Sequence, residues 1–287
     1  MRYGFIERHD REFSVRRMCE VLHVSRSGYY EWRDRPASER ARQNEALLVH
    51  IRRVHEQSRQ AYGAKKSWLE LKDQGIACGK HRVARLRKEA GIEARRKRRF
   101  RITVENHATA PPAPNLVQQR FNVGEPNRVW VGDMTFIRTR SGFLYLAVLL
   151  DLFGRRVVGW SMSDRPNLEL VMGALKMAIE QRSPGRGLIH HSDQGSIYAA
   201  KDYRQFMHLR GIRPSMSAKG NAYDNAVAES FFGNLKNELI HHIDFDSRDA
   251  ARMAIFDYIE VFYNRRRKHQ SLGYVSPMQF ERQHGVT

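Results

Sequence analysis

The sequence predicts an α/β protein, a mixed β-sheet flanked by helices and preceded by an all-α N-terminal region. Three observations carry that expectation. Apolar residues recur at helical spacing up to about residue 91, then alternate or run continuously as strands from about residue 128. A proline-bearing stretch of weak periodicity separates the two textures. In the second half, three strand-like runs on short connections are followed by helices alternating with short strands.

Composition narrows the class. A chain of 287 residues suits two domains, or one larger core with a smaller module attached. With 41% apolar residues a sizeable core can form. No apolar run approaches the ~20 residues that span a bilayer, so no membrane partner is expected. MRYGFIERHD opens the chain without an apolar segment behind it, which argues against a secretory leader. Cys19 and Cys78 stand far apart without CxxC spacing; a reducing cytoplasm is the expected location. Lys and Arg total 50 against 31 acids, a formal net of +19. Residues 1–101 hold 27 basic and 13 acidic side chains, a net of +14, against +5 for the remainder. A solvated basic surface or an anionic membrane are the plainer explanations. The excess rides on globular-looking helices rather than on a juxtamembrane tail, which favours a nucleic-acid partner.

The elements follow in order. Val15, Met18, Cys19 and Leu22 recur at helical spacing, and Ser25 supplies an N-cap before Gly28-Tyr29-Tyr30, so residues 11–33 have a helix-turn-helix outline. Residues 42–91 read as three short amphipathic helices broken near Gly63, Gly75 and Gly79. Residues 1–101 together are the expected basic helical DNA-binding region. Its last residues, Arg95 to Arg101, form a basic run in which Arg96, Arg98 and Arg99 are candidate backbone contacts; a solvated linker is the plainer reading. Residues 102–124 are the expected linker, extended by PPAP. From residue 125 to 287, VWVGDMTFIR, FLYLAVLLDLF and RVVGWSM read as antiparallel neighbours. A helix over 166–182, a strand in GLIHHSD, a helix over 199–210 and a strand near 212–216 come next. Helices over 223–240 and 247–266 close the domain. This β-β-β-α-β-α-β-α order is that of a ribonuclease-H-like sheet.

Three carboxylates stand where such a sheet can gather them. Asp133 interrupts an apolar strand, Asp193 ends GLIHHSD, and Glu229 sits in the helix YDNAVAESFFGNLKNE. An acid inside an apolar strand is costly unless a cation compensates it. Mg²⁺ suits a few hard carboxylate oxygens, and three acids can hold two ions ~3.5–4 Å apart. Taken singly, each acid is more often a paired structural residue or a surface residue; the 35 residues between Asp193 and Glu229 and the words around them make the set more specific.

WVGDMTFI, GFLYLAVLLDLFGRRVVGWSM, HHSDQGSIY, SAKGNAYDNAVAESFFGNLKNE and YNRRRKHQSLGYVSP resemble the integrase catalytic core shared by retroviral integrases and bacterial insertion-sequence transposases. Most of the chain is similar to the OrfB-type transposases of insertion-sequence family three, a branch of the DDE superfamily. The resemblance implies a DNA transposase with Asp133, Asp193 and Glu229 as catalytic metal ligands for two Mg²⁺ ions, Mn²⁺ being able to substitute. It implies that Lys236 contacts terminal DNA; two helical turns, ~10.5 Å, separate it from Glu229. Its implied partners are double-stranded DNA, as terminal inverted repeats and target, further copies of the chain on that DNA, and a small helix-turn-helix protein from an upstream reading frame. Ile197 departs from the polar residue frequent in relatives.

Other residues have plainer readings beside the functional one. Lys219 and Asn221 lie in a glycine-containing loop from which they can meet DNA near the cut. Arg266 either complements a helix C-terminus or contacts phosphate. Thr135, Ser192 and Gly195 shape the site rather than react. His190 and His191 alternate on a strand and so point oppositely. The competing functions are a DNA-binding repressor of transposon ends and a ribonuclease-H-like nuclease, which a shared fold does not separate from a transposase.

Overall fold

A computed structural model describes residues 1–95, 113–217 and 225–286. The expected DNA contacts Arg96, Arg98, Arg99, Lys219 and Asn221 lie outside the described residues, as does the proline-bearing part of the linker. The chain divides into two compact units, Met1–Arg52 and Arg53–Thr287. That division falls well before the boundary expected near 101, and residues between 53 and 95 bond to the segment around Arg266 and Lys268.

The first unit contains α1 (Arg2–Arg8), α2 (Val15–Val21) and α3 (Arg26–Asp34). Ser14 caps α2 by accepting from the Arg17 N–H at 3.3 Å, and Ser25 caps α3 by accepting from the Gly28 N–H at 3.2 Å. The turn between them uses His23 at φ 49°, and Ile6, Met18, Cys19 and Tyr29 close a small core. The helix-turn-helix outline is therefore present where the caps predicted it. Helix α1 was not expected, since Ile6 is its one buried residue and leaves no apolar period to read.

Helix α4 (Glu39–Gln57) leads into the second unit, where α5 (Ala64–Asp73) and α6 (Lys80–Glu89) follow. Gly75, at φ 76°, makes the turn that ends α5. Arg87 is buried between these helices and donates to Ser67 Oγ and to the Tyr62 carbonyl, each at 3.0 Å. The sheet contains β1 (Val129–Thr139), β2 (Gly142–Asp151), β3 (Val157–Ser163), β4 (Ile189–Ser192) and β5 (Arg213–Met216), in spatial order β3-β2-β1-β4-β5. The first three strands are antiparallel; β4 joins β1 in parallel and β5 joins β4 in parallel. This is the expected ribonuclease-H-like sheet.

Alternation along the strands sends side chains to two cores. On one face Trp130, Ala147, Leu149 and Val158 meet α7 (Leu168–Arg182) and α8 (Lys201–Leu209). Here β3 touches α7 so closely that a Cβ on Gly159 would stand 2.3 Å from the Ala174 carbonyl oxygen. On the other face Val131, Ile137, Leu146 and Val148 meet α9 (Ala226–Glu238) and α10 (Arg248–Phe256).

The single helix expected over 247–266 is instead α10 followed by a π-helical segment, Asp257–Tyr263. Asn264 N–H donates five residues back to the Ile259 carbonyl at 3.0 Å. The wider turn aims the Asn264 side chain at β3, where it accepts from the Val157 N–H and donates to the Val157 carbonyl, each at 3.0 Å. A last helix, α11 (Pro277–Gln283), is capped by Ser276 and buries Glu281.

Residues 53–95 are seated on the end of this layer. The Tyr62 hydroxyl donates to the Arg266 carbonyl at 3.3 Å and accepts from the Lys268 N–H at 2.7 Å. Lys268 pairs with Glu70 at 3.4 Å and with Asp73. Arg95 donates to the Glu238 carbonyl at 3.0 Å.

Candidate active site

Strand register builds the site. Val131 of β1 is level with His191 of parallel β4, so Asp133 and Asp193 each lie two residues beyond a matched pair. Neighbouring strands run ~4.8 Å apart, so the two acids emerge side by side. Asp133 shares its sheet face with Val131 and Ile137, the face covered by Ala228, Phe231, Phe232 and Leu235 of α9. That packing brings the first turn of α9, which carries Glu229, and Lys236 near its last turn toward the same acids.

The carboxylates have few partners. Asp133 Oδ1 accepts from the Met134 N–H at 2.7 Å and Asp193 Oδ1 from the Gly195 N–H at 3.0 Å. Among the described residues, none of the three acids has a Lys or Arg within ion-pair distance. Burial, then the negative charge of Asp193, with a smaller push from Glu229, drives the Asp133 pKa up to about 8. Burial also pushes up the carboxyls of Asp193 and of Glu229, although the Glu229 residue is exposed on its helix. The mutual repulsion falls mainly on Asp133, the deepest of the three. Burial lowers the Lys236 ammonium while the Asp133 charge lifts it, placing this cation within electrostatic reach of the acids.

Asp193, Glu229 and Lys236 thus lie within electrostatic reach of Asp133. Gly195 and Ser192 shape the turn, as a Cβ on Gly195 would stand 2.9 Å from Asp193 Oδ1 and Ser192 Oγ donates to the Asp193 carbonyl at 2.9 Å. His190 and His191 do point oppositely: His190 meets the Tyr203 hydroxyl at 3.0 Å, whereas His191 meets Ser215 at 2.8 Å and Ser217 at 3.2 Å. The Arg266 side chain is exposed, away from solvent only through the backbone carbonyl that Tyr62 engages. Sequence reasoning passed over Tyr198, a buried ring whose hydroxyl feels the charges of Asp133 and Asp193. Nothing in its local pattern marks it, since it lies in a turn before α8.

The residues fit a divalent cation in their chemistry. They are hard oxygen donors, Asp133 and Asp193 largely withdrawn from water, and none has a bonded cation among the described residues. Among the described residues, no three acidic, imidazole or thiol groups stand close enough to enclose an ion.

An integrase core domain description matches residues 124–222 and a second one residues 229–284; an HTH-like domain description matches residues 42–100. The last lies downstream of the 11–33 outline, on α4 to α6. A 31 kDa protein of insertion element IS600 from Shigella sonnei is 46% identical over 92% of this chain and 97% of its own. The transposase InsF of insertion sequence IS3A from Escherichia coli K12 is 42% identical over 98% of each chain. Among solved structures, the catalytic core domain of HTLV-2 integrase aligns at TM-score 0.41 and 19% identity, over 54% of this chain and 96% of that one.

Proposed function

Because the chain belongs to the insertion-sequence transposases of the IS3 type, we propose that Asp133, Asp193 and Glu229 are the catalytic carboxylates with which it cuts and joins the ends of its own element. The observation that supports this reading is a desolvated Asp133 within electrostatic reach of Asp193 and Glu229, with none of the three acids paired to a Lys or Arg among the described residues. Transposition is favoured over the repressor and nuclease readings by relatives matched over nearly the whole chain.

Bound Mg²⁺, as two ions with Mn²⁺ as substitute, would lower the pKa of an attacking water or 3′-hydroxyl and neutralise charge on the scissile phosphate. Asp133 would hold the ions together with Asp193 and Glu229, supplying hard carboxylate oxygens. Its raised pKa means that it gives up a proton as it becomes a ligand near neutral pH. The Lys236 ammonium, on the same side of α9 as Glu229, holds a DNA phosphate beside the carboxylates and so orients the strand. Gly195 leaves Asp193 room to accept from the backbone, fixing its orientation. The DNA partners are terminal inverted repeats and target DNA, met by several copies of the chain and by a small helix-turn-helix protein from an upstream frame.

Asp193→Asn tests the assignment in two ways. The variant should keep its affinity for end DNA yet yield no joined product, and it should lose the rise in Tm that Mg²⁺ confers on the wild type. Normal joining by this variant would refute the carboxylate assignment.

A further inference from the structure

Strand β4 ends at Ser192, immediately before Asp193. Its ladder with β1 closes at Val131 and His191, and its ladder with β5 closes at Ser192 and Met216. Neither ladder reaches Asp193, so strand pairing alone does not fix where its carboxylate points. Ser217, the residue that follows β5, grips the chain on both sides of that acid. Its N–H donates to the Ser192 carbonyl at 2.9 Å. Its hydroxyl meets His191 Nε2 at 3.2 Å, and its carbonyl accepts from the Gln194 side-chain amide at 2.9 Å. One buried serine thus holds the two residues before Asp193 and the one after it.

The grip is anchored in turn. His191 is fully buried, and its Nδ1 meets Ser215 Oγ at 2.8 Å. Ser215 Oγ accepts from the Leu116 N–H at 2.9 Å, which leaves the Ser215 proton for Nδ1. These partners assign the Nε2–H tautomer, which donates to Ser217 Oγ; the Ser217 proton is then directed at the Ser192 carbonyl, 3.4 Å away. A polar row runs from Leu116 to Ser192 with an acceptor for each donor, the condition under which a buried network rigidifies its surroundings. Gln194 transmits that rigidity to the site. It lies between Asp193 and Gly195, whose N–H donates to Asp193 Oδ1 at 3.0 Å, so tethering Gln194 to Ser217 holds the turn that orients the carboxylate.

We propose that Ser217, His191 and Gln194 are positioning residues: together they hold the turn that aims the Asp193 carboxylate, and thereby set the affinity of the site for its divalent cation. The proposal rests on the reading of Asp193 as a catalytic carboxylate. None of the three residues has to touch metal or DNA. Groups that orient a metal ligand typically change metal affinity or activity roughly 10–100-fold when removed.

Full-length protein is tested by its Tm at increasing Mg²⁺, and in parallel by joining of labelled end DNA over the same Mg²⁺ range. Ser217→Val and Ser217→Thr have the same shape and differ in the hydroxyl. Ser217→Val should need roughly 10–100-fold more Mg²⁺ for half of the rise in Tm and for half-maximal joining, and Ser217→Thr should stay close to wild type. Gln194→Met keeps the length of the side chain without its N–H donors and should shift both midpoints in the same direction. Its side chain is only partly buried, so it decides the matter if Ser217→Val does not fold. Wild-type Mg²⁺ midpoints in Gln194→Met and in folded Ser217→Val would overturn the proposal. So would a lower metal-free Tm with unchanged midpoints, since the bonds would then serve the fold alone. Failure of the carboxylate reading looks different: Asp193→Asn itself would then join ends normally, whereas failure of the positioning proposal leaves Asp193→Asn inactive.

Discussion

Two acid clusters lie on opposite faces of the same sheet, about three residues apart along the strands. On the α7 face Asp151 and Glu281 are fully buried. Asp151 accepts from Asn127 N–H at 2.8 Å, Phe153 N–H at 3.1 Å and Arg182 at 3.2 Å. Glu281 accepts from Arg182 at 2.8 Å and from Arg156 at 2.7 Å. On the α9 face Asp133 and Asp193 each accept one backbone N–H and, among the described residues, meet no bonded cation. Burial raises the carboxyl pKa in both places, so a displaced pKa does not by itself mark function. What separates them is compensation: one cluster carries its counter-charges within the fold, and the other has none bonded to it among the described residues.

The largest expected effect sharpens this contrast. Asp133→Asn, Asp193→Asn and Glu229→Gln should each reduce DNA joining by about three orders of magnitude or more, measured with labelled end DNA, while the fold persists. A comparable loss of stability rather than of joining would move these acids into the structural class. The converse holds for the compensated cluster. Arg182→Met leaves Asp151 and Glu281 buried without their shared partner and should cost about 3–5 kcal/mol in denaturant unfolding. Near-wild-type stability would show that Arg156 and the backbone donors suffice.

Titration separates the clusters further. Asp133 has a folded pKa near 8 against an ordinary 3.8, so the folded state holds its proton more tightly than the unfolded chain does. Without divalent ions, its contribution to stability is present below pH ~4 and is lost as pH rises to ~8. Asp133→Asn should therefore raise Tm at pH 8 and change it little at pH 4. Across the sheet His190 titrates near 4 rather than 6.5, because burial disfavours its cation. Its contribution is full above pH ~6.5 and declines as pH falls toward 4, the opposite direction. The smallest effect belongs to its partner: Tyr203→Phe should cost about 1 kcal/mol and leave joining per folded molecule unchanged. A large loss of joining in Tyr203→Phe would tie the His190 side to catalysis.

The legibility of these regions in the sequence differs for physical reasons. Asp133 could be singled out because strand alternation is local and an acid breaks it audibly within five residues on either side. Asp193 was marked by its place at the end of a short apolar strand, and Glu229 by the 35 residues between it and Asp193 together with family words. The compensated cluster was invisible, because Asp151, Arg182 and Glu281 come from β2, α7 and α11 and only tertiary folding unites them. The seat of residues 53–95 was missed likewise, since Tyr62 finds its partners 204 and 206 residues away. The π-helical segment was read as ordinary helix because buried Tyr258, Ile259, Phe262 and Tyr263 satisfy either period. The basic half was recognised by its charge, yet charge alone does not say that the excess lies downstream of Arg52, with the catalytic unit.

The Tyr62 contact has a consequence for biosynthesis. Its acceptor and donor, at Arg266 and Lys268, leave the ribosome some two hundred residues after Tyr62 does. At bacterial elongation rates of roughly 5–20 residues per second, the basic helices wait about 10–40 s for the segment on which they settle. A nascent or prematurely terminated polypeptide thus displays its cationic helices without the segment that Tyr62 engages.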